Sequence, residues 1–278
     1  SYEAWTLEKM LADRHGIDPK QVIVTSGATE AIYLIAQTFR LRPVIPEPTF
    51  SEYADACAIV NRQSSNRKLL WLCNPNNPTG EVYDQLYIDK IMAEHELVVI
   101  DQSYANYTDL PISCDAIATN LILIHSMTKD YGVPGLRLGY ITAHESLTEQ
   151  IRRHMRPWSV SALAVEAGKY LLQHDELICR PDLREAQCLR ERLCEIEGIE
   201  VAHTQTNFML CRLEHHTAAE LKEYLANEHH ILIRDASSFK GLTSHHFRVA
   251  ARSPDGQPQL RLQEPAHKQH DQRHDQQH

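Results

Sequence analysis

Leu121-Ile122-Leu123-Ile124-His125-Ser126-Met127-Thr128-Lys129 decides the fold: an uninterrupted apolar run gives way to hydroxyl and amine side chains. A run that short predicts a strand buried on both faces, and such strands belong to mainly parallel sheets covered by helices. Leu97-Val98-Val99-Ile100 stops at Asp101 in the same manner. Further out, 22–25 and 69–73 predict two more short buried strands. Between the runs the apolar spacing is helical, over 5–14 with Leu7, Met10 and Leu11 on one face, and again after Ser26-Gly27 with Ala31, Ile32, Leu34, Ile35 and Phe39. Short buried runs alternating with amphipathic helices predict an α/β layer structure. In open parallel sheets ligands sit at the carboxyl ends of strands, which draws attention to Asp101 and Lys129.

From about residue 145 the pattern becomes one of helices over 146–156, 162–173 and 182–197. Strands near 207–212, 231–233 and 247–250 follow, with a helix over 218–227. We therefore expect a large domain with a mainly parallel sheet over 1–165, and a helical connection with a small α+β domain over 166–252. Residues 253–278 hold seven Gln and four His against three apolar side chains, Leu260, Leu262 and Ala266, a composition that predicts a disordered tail. Its histidines are irregularly spaced and form no closed ligand set, so no metal site is expected.

Composition narrows the function. With 28 Lys+Arg against 37 Asp+Glu, the net charge of −9 offers no electrostatic footprint for nucleic acid. No apolar run approaches the length of a membrane span. Seven cysteines, odd in number and without a C-x-x-C pair, suggest neither a disulfide framework nor a thiolate zinc site, and fit a reducing cytoplasm. The first residues, Ser1-Tyr2-Glu3-Ala4-Trp5, show no initiator Met, basic region or apolar signal core; the start reads as a cut rather than a leader.

Chemistry gathers at the strand ends. Lys129 follows a buried strand, and a desolvated amine near other cations can form a Schiff base with a carbonyl; alone, it also fits a solvated surface lysine. Asp101 could hold a proton on a ring nitrogen, with the Tyr104 phenol bonding a ring oxygen; alone, it also fits a turn cap. Ser26-Gly27-Ala28-Thr29 opens a helix directly after a strand, leaving backbone N–H groups for an anion, which Ser126, Thr128 and Arg137 could help to hold. Neither a P-loop nor a G-x-G-x-x-G fingerprint occurs.

Asn74-Pro75-Asn76-Asn77-Pro78-Thr79-Gly80, Asp101-Gln102-Ser103-Tyr104 and Ser126-Met127-Thr128-Lys129 with Gly135-Leu136-Arg137-Leu138-Gly139 stand in this order along the chain. Together they resemble the class I/II aminotransferase family of fold-type I pyridoxal-phosphate enzymes, over about residues 5–252. The branch most resembled contains histidinol-phosphate aminotransferase and threonine-phosphate decarboxylase. The resemblance implies that pyridoxal 5'-phosphate is the cofactor, anchored by Lys129, with Asp101 on its ring nitrogen and Asn77 and Tyr104 on its ring oxygen. It implies that Ala28, Thr29, Ser126, Thr128 and Arg137 hold the phosphate, and that Phe50 lies over the ring. It further implies a substrate gripped by Arg248, near Asn207 and Asn77. The segment 233–242 looks closer to the decarboxylase members.

The reaction expected from the resemblance is transamination of an amino acid or phosphorylated amine. The alternatives are threonine-phosphate decarboxylation, or a truncated relative that binds the cofactor without turnover. A cytoplasmic homodimer with no nucleic-acid or membrane partner is expected. Two departures bear on activity: relatives carry a further N-terminal segment before this start, and continue into a helix where this chain has its Gln/His-rich tail.

Overall fold

The computed structural model describes residues 4–60, 67–110 and 118–251. The expectation for the tail, and for the helix it replaces, lies outside the described residues. The first half of the chain runs α1 (Trp5–His15), β1 (Val22–Thr25), α2 (Gly27–Phe39), β2 (Arg42–Val44), α3 (Glu52–Ile59), β3 (Lys68–Cys73), α4 (Gln85–Glu94), β4 (Leu97–Asp101), β5 (Leu121–His125), α5 (Met127–Asp130) and β6 (Gly139–Ala143). The second half runs α6 (Glu145–Arg152), α7 (Ala162–Leu172), α8 (Leu183–Cys194), β7 (Ile199–Val201), β8 (Phe208–Leu213), α9 (Ala218–His229), β9 (Arg234–Asp235) and β10 (His246–Ala250).

The large sheet has the order β1-β6-β5-β4-β3-β2. Strands β2 to β5 are parallel, while β6 pairs antiparallel with both β5 and β1, so a single reversed strand lies within an otherwise parallel sheet. Alternation along the strands supplies both faces. Ile122 and Ile124 pack with Val99, Trp71 and the inward sides of α2 and α3, whereas Leu121 and Leu123 pack with Val98, Ile100 and Ile88 and Ile91 of α4. Fully burying such a side chain stabilises by roughly 1.5–3 kcal/mol, so the near-continuous apolar strands follow from having no solvated face. Along the β1 and β6 side, Leu7 and Leu11 of α1 pack against Val22, Val24, Tyr140 and Ala164 and Val165 of α7.

The second sheet, β7-β8-β10-β9, is antiparallel throughout. Met209, Cys211, Leu213 and Phe247 cover one face together with Ala186 and Leu189 of α8 and Ala218 and Leu221 of α9.

Several expectations are corrected here. The apolar run 231–233 forms no strand; β9 is Arg234–Asp235, paired with β10. His230 ends α9 in the left-handed region at φ 55°, and the Ile231 N–H closes back on the Leu225 carbonyl, so this apolar triplet serves the helix terminus. The helices expected over 146–156 and 182–197 stop at Arg152 and Cys194. Strands β2, β6 and β7 and helices α3 and α4 are not predicted by the sequence patterns.

Candidate active site

Because β1, β3, β4 and β5 run the same way, their carboxyl ends meet at one edge of the sheet. β1 leads into Ser26-Gly27, β3 into the loop 74–80, β4 ends on Asp101 and β5 leads into Ser126. Arg137 reaches this edge from the opposite side, on the approach to the reversed strand β6.

Asp101 is buried, with 3% of its surface exposed. Its Oδ1 accepts from the Ser103 N–H at 2.9 Å and the Ser103 hydroxyl at 2.6 Å, and its Oδ2 accepts from the Tyr53 hydroxyl at 2.8 Å. Burial pushes the Asp101 carboxyl above its ordinary value, while the Ser103 and Tyr53 hydrogen bonds and the charge of Lys129 pull the other way. Tyr53 and Ser103 are not among the residues that the sequence singles out. Ser103 stands inside one of the motifs, next to residues that carry roles, but Tyr53 lies 48 residues before its partner and has no local mark.

Lys129 lies in α5 with Nζ 5.6 Å from the centre of the Tyr104 ring. The Tyr107 hydroxyl donates to the Lys129 carbonyl at 3.1 Å and Asn106 Nδ2 to Asp130 Oδ1 at 2.7 Å, tying α5 to the turn that carries Tyr104. The Lys129 side of α5 is exposed, so the desolvated pocket expected around the amine is not formed by the described residues alone. Tyr104 stands edge-on to Phe208, ring centres 5.0 Å apart, and the Arg248 guanidinium lies over the same Phe208 ring at 5.0 Å. Arg248 Nη1 donates to Asn77 Oδ1 at 2.5 Å, joining the small sheet to the loop after β3. That bond assigns Oδ1 of Asn77 as the acceptor and leaves its Nδ2 as a donor.

Gly27 opens α2 at φ +83°, in the left-handed region. A Cβ built there would meet Arg137 Nη2 at 2.7 Å, so the guanidinium rests against the start of the helix. Ser26 makes no side-chain cap for α2, leaving the N–H groups of the first turn without that acceptor. Gly139 has no room for a side chain: a Cβ would lie 2.8 Å from Ala28 N, Gly27 C and the His125 carbonyl, so its absence lets β6, α2 and β5 close together. Ser126 and Thr128 are buried at the end of β5, with the Thr128 hydroxyl donating to the Leu138 carbonyl at 3.3 Å; Ala28 and Thr29 are half-buried.

Phe50 is half-buried, packed edge-on to Tyr53 with ring centres 5.7 Å apart. Asn207 donates from Nδ2 to the Ala251 carbonyl at 3.1 Å, and its buried Oδ1 has no partner. Among the described residues no cluster of His, Cys, Asp and Glu could hold a metal ion, and no helix is long and apolar enough to cross a membrane.

A mainly parallel sheet with a lysine, a buried carboxylate and an uncapped helix start along its carboxyl edge has the architecture of the fold-type I pyridoxal-phosphate enzymes. The chain belongs to the aminotransferase class I and II family, whose model matches residues 2–63 and 58–258. It is similar to the threonine-phosphate decarboxylase of Salmonella typhimurium, 28% identical over 89% of this chain and 77% of that protein. It is also similar to histidinol-phosphate aminotransferase 2 of Archaeoglobus fulgidus, 30% identical over 87% of this chain and 77% of that protein. Among solved structures, L-threonine-O-3-phosphate decarboxylase from Porphyromonas gingivalis superposes with a TM-score of 0.85 at 38% identity, covering 91% of this chain and 85% of that one. The family makes this chain an enzyme whose cofactor is pyridoxal 5'-phosphate.

Proposed function

We propose that this enzyme breaks a bond at the α-carbon of a phosphorylated amine or amino acid, transamination being the reaction and Lys129 its proton carrier. The observation that carries the proposal is the continuous line of contacts from Lys129 through Tyr104 and Phe208 to Arg248 and Asn77. It lays an amine, an aromatic wall and an anion-gripping fork in one line from α5 to the small sheet.

The residues present fit the cofactor. The start of α2 lacks a side-chain cap and has the Arg137 guanidinium against Gly27, which suits a phosphate; Ala28, Thr29, Ser126 and Thr128 would complete that cup. Asp101 would accept the ring N–H, Asn77 and Tyr104 would donate to the ring oxygen, and Phe50 would cover the ring. When bound, pyridoxal phosphate supplies an aldehyde for covalent attachment and a ring that takes up the electron pair released at the substrate α-carbon. Lys129 Nζ would remove the α-proton and hold it for return. Arg248 would grip the substrate's carboxylate or phosphate in its planar fork with Asn207 beside it, and thereby fix which α-carbon bond stands ready to break.

A second reading, decarboxylation of a phosphorylated amino acid, draws support from the relatives and the solved structure named threonine-phosphate decarboxylase. Regeneration of the cofactor's aldehyde form by a 2-oxo acid supports transamination; carbon dioxide released without an amino acceptor supports the second reading. The common core is tested first by absorbance with added pyridoxal phosphate, before and after borohydride. We expect a visible band that borohydride traps covalently in the native protein and not in Lys129→Ala; equal trapping in both would sink the assignment. We also propose a homodimer working in the cytoplasm. The described cysteines are thiols rather than disulfide halves, which agrees with a reducing compartment.

A further inference from the structure

We propose that Tyr53 is a positioning residue for the cofactor's ring proton: its hydroxyl fills one lone pair of Asp101 Oδ2, and the cofactor's N–H takes the other. This rests on the cofactor reading above and concerns a residue that reading does not use.

An ionised carboxylate offers about four lone-pair sites. Ser103 occupies both sites on Oδ1, through its N–H at 2.9 Å and its hydroxyl at 2.6 Å. Tyr53 occupies one site on Oδ2 at 2.8 Å. The remaining site is on Oδ2, so the ring nitrogen and the phenol share one oxygen. Tyr53 cannot swing away. It is fully buried, its ring stacked on Trp71 at 5.4 Å and 16° and met edge-on by Phe50 at 5.7 Å. Three elements hold the arrangement: α3 supplies Tyr53, β4 Asp101 and β3 Trp71.

The titratable groups facing Asp101 are Tyr53 on α3, Cys73 opposite it on β3, and Lys129 on α5. Burial holds the thiol of Cys73 at about 12 and the Tyr53 phenol well above its ordinary value, so both stay protonated. Tyr53 is therefore a permanent donor to Oδ2. A donor on that oxygen lowers its proton affinity and keeps the shared proton on the ring nitrogen, where it strengthens electron withdrawal. Without the donor, the same proton moves from the ring nitrogen to Oδ2, leaving a neutral ring hydrogen-bonded to a neutral acid.

The test binds pyridoxal phosphate labelled with 15N in its ring and reads the ring nitrogen resonance at neutral pH, which reports how the shared proton is divided between the ring and Oδ2. Tyr53→Phe is expected to move the resonance toward the unprotonated limit that Asp101→Asn marks, because the shared proton passes to the more basic Oδ2. Ser103→Ala, which removes a donor from the other oxygen, is expected to shift it by less than half as much. If Tyr53→Phe does not fold, 3-fluorotyrosine placed at position 53 preserves shape, donates more strongly and should move the resonance toward the protonated limit. An unchanged resonance in Tyr53→Phe or in the fluorinated protein overturns the proposal while leaving the cofactor reading intact. Failure of the native protein to bind the labelled cofactor at Lys129 overturns both.

Discussion

At Gly27 and Arg248 the consequences of single side chains can be stated in advance. Gly27→Ala puts a Cβ against Arg137 Nη2 and forces φ +83° on a residue that resists it. The strain costs about 1–2 kcal/mol, and displacement of the guanidinium should weaken pyridoxal phosphate binding at least tenfold in an equilibrium titration. Arg248→Lys keeps the charge but loses the fork that holds Asn77 and lies on Phe208. We expect KM to rise by about tenfold or more with a smaller change in kcat, measured by steady-state kinetics on a phosphorylated amino-acid substrate. Much of this proposed site is legible in the amino-acid sequence. Asp101 and Lys129 stand out as polar residues closing apolar strands, and local motifs carry Asn77, Tyr104 and Arg137. Tyr53 is not legible, because its meaning lies in a hydrogen bond across 48 residues and nothing local marks it.

The elements show the same division. Val22–Thr25 and the other two-faced strands declare themselves by composition, since burial on both sides leaves few choices of side chain. β6 (Gly139–Ala143) does not, because Gly, Tyr, Thr and Ala dilute the apolar run, and β2 is too short and too exposed to show a pattern. The triplet 231–233 misleads because apolarity without a paired edge does not make a strand. In α5, the residue next to Lys129 provides a test of linkage. Burial raises the Asp130 carboxyl from 3.8 to about 7, opposed by the Asn106 hydrogen bond and Arg14. Between those values the unfolded chain has lost the proton that the folded chain keeps, so the folded state binds more protons and stability falls as pH rises. The slope is at most about 1.4 kcal/mol per pH unit. Asp130→Asn removes it; urea unfolding at several pH values across that window should show the variant gaining on the native protein as pH rises. A constant difference would refute the assignment.

The described residues form two sheets joined at the loop after β3. The Gln205 N–H donates to the Gly80 carbonyl at 2.9 Å and the Val82 N–H to Gln205 Oε1 at 2.8 Å; with the Arg248 to Asn77 bond, they hold the small sheet to the loop after β3. At this scale the homodimer is tested by sedimentation velocity with bound pyridoxal phosphate: we expect about twice the 31.9 kDa chain mass at micromolar concentration, and monomer alone would count against it. The division of the chain into a sheet-rich first part and a small second sheet is readable from the change in periodicity near residue 145. The junction between them is not, since it is made by residues such as Asn77 and Arg248, 171 positions apart.

The lone backward strand has a further effect. Every other group around the helix start is delivered by backbone leaving a strand, but Arg137 is delivered by backbone entering one. Its reach is therefore set by the short connector at 131–136, which is itself bonded back to α5 through the Val133 N–H on the Thr128 carbonyl at 3.1 Å. Trimming or lengthening that connector would therefore retune the grip on an anion and the seat of the neighbouring lysine together, as one screw that serves two jaws.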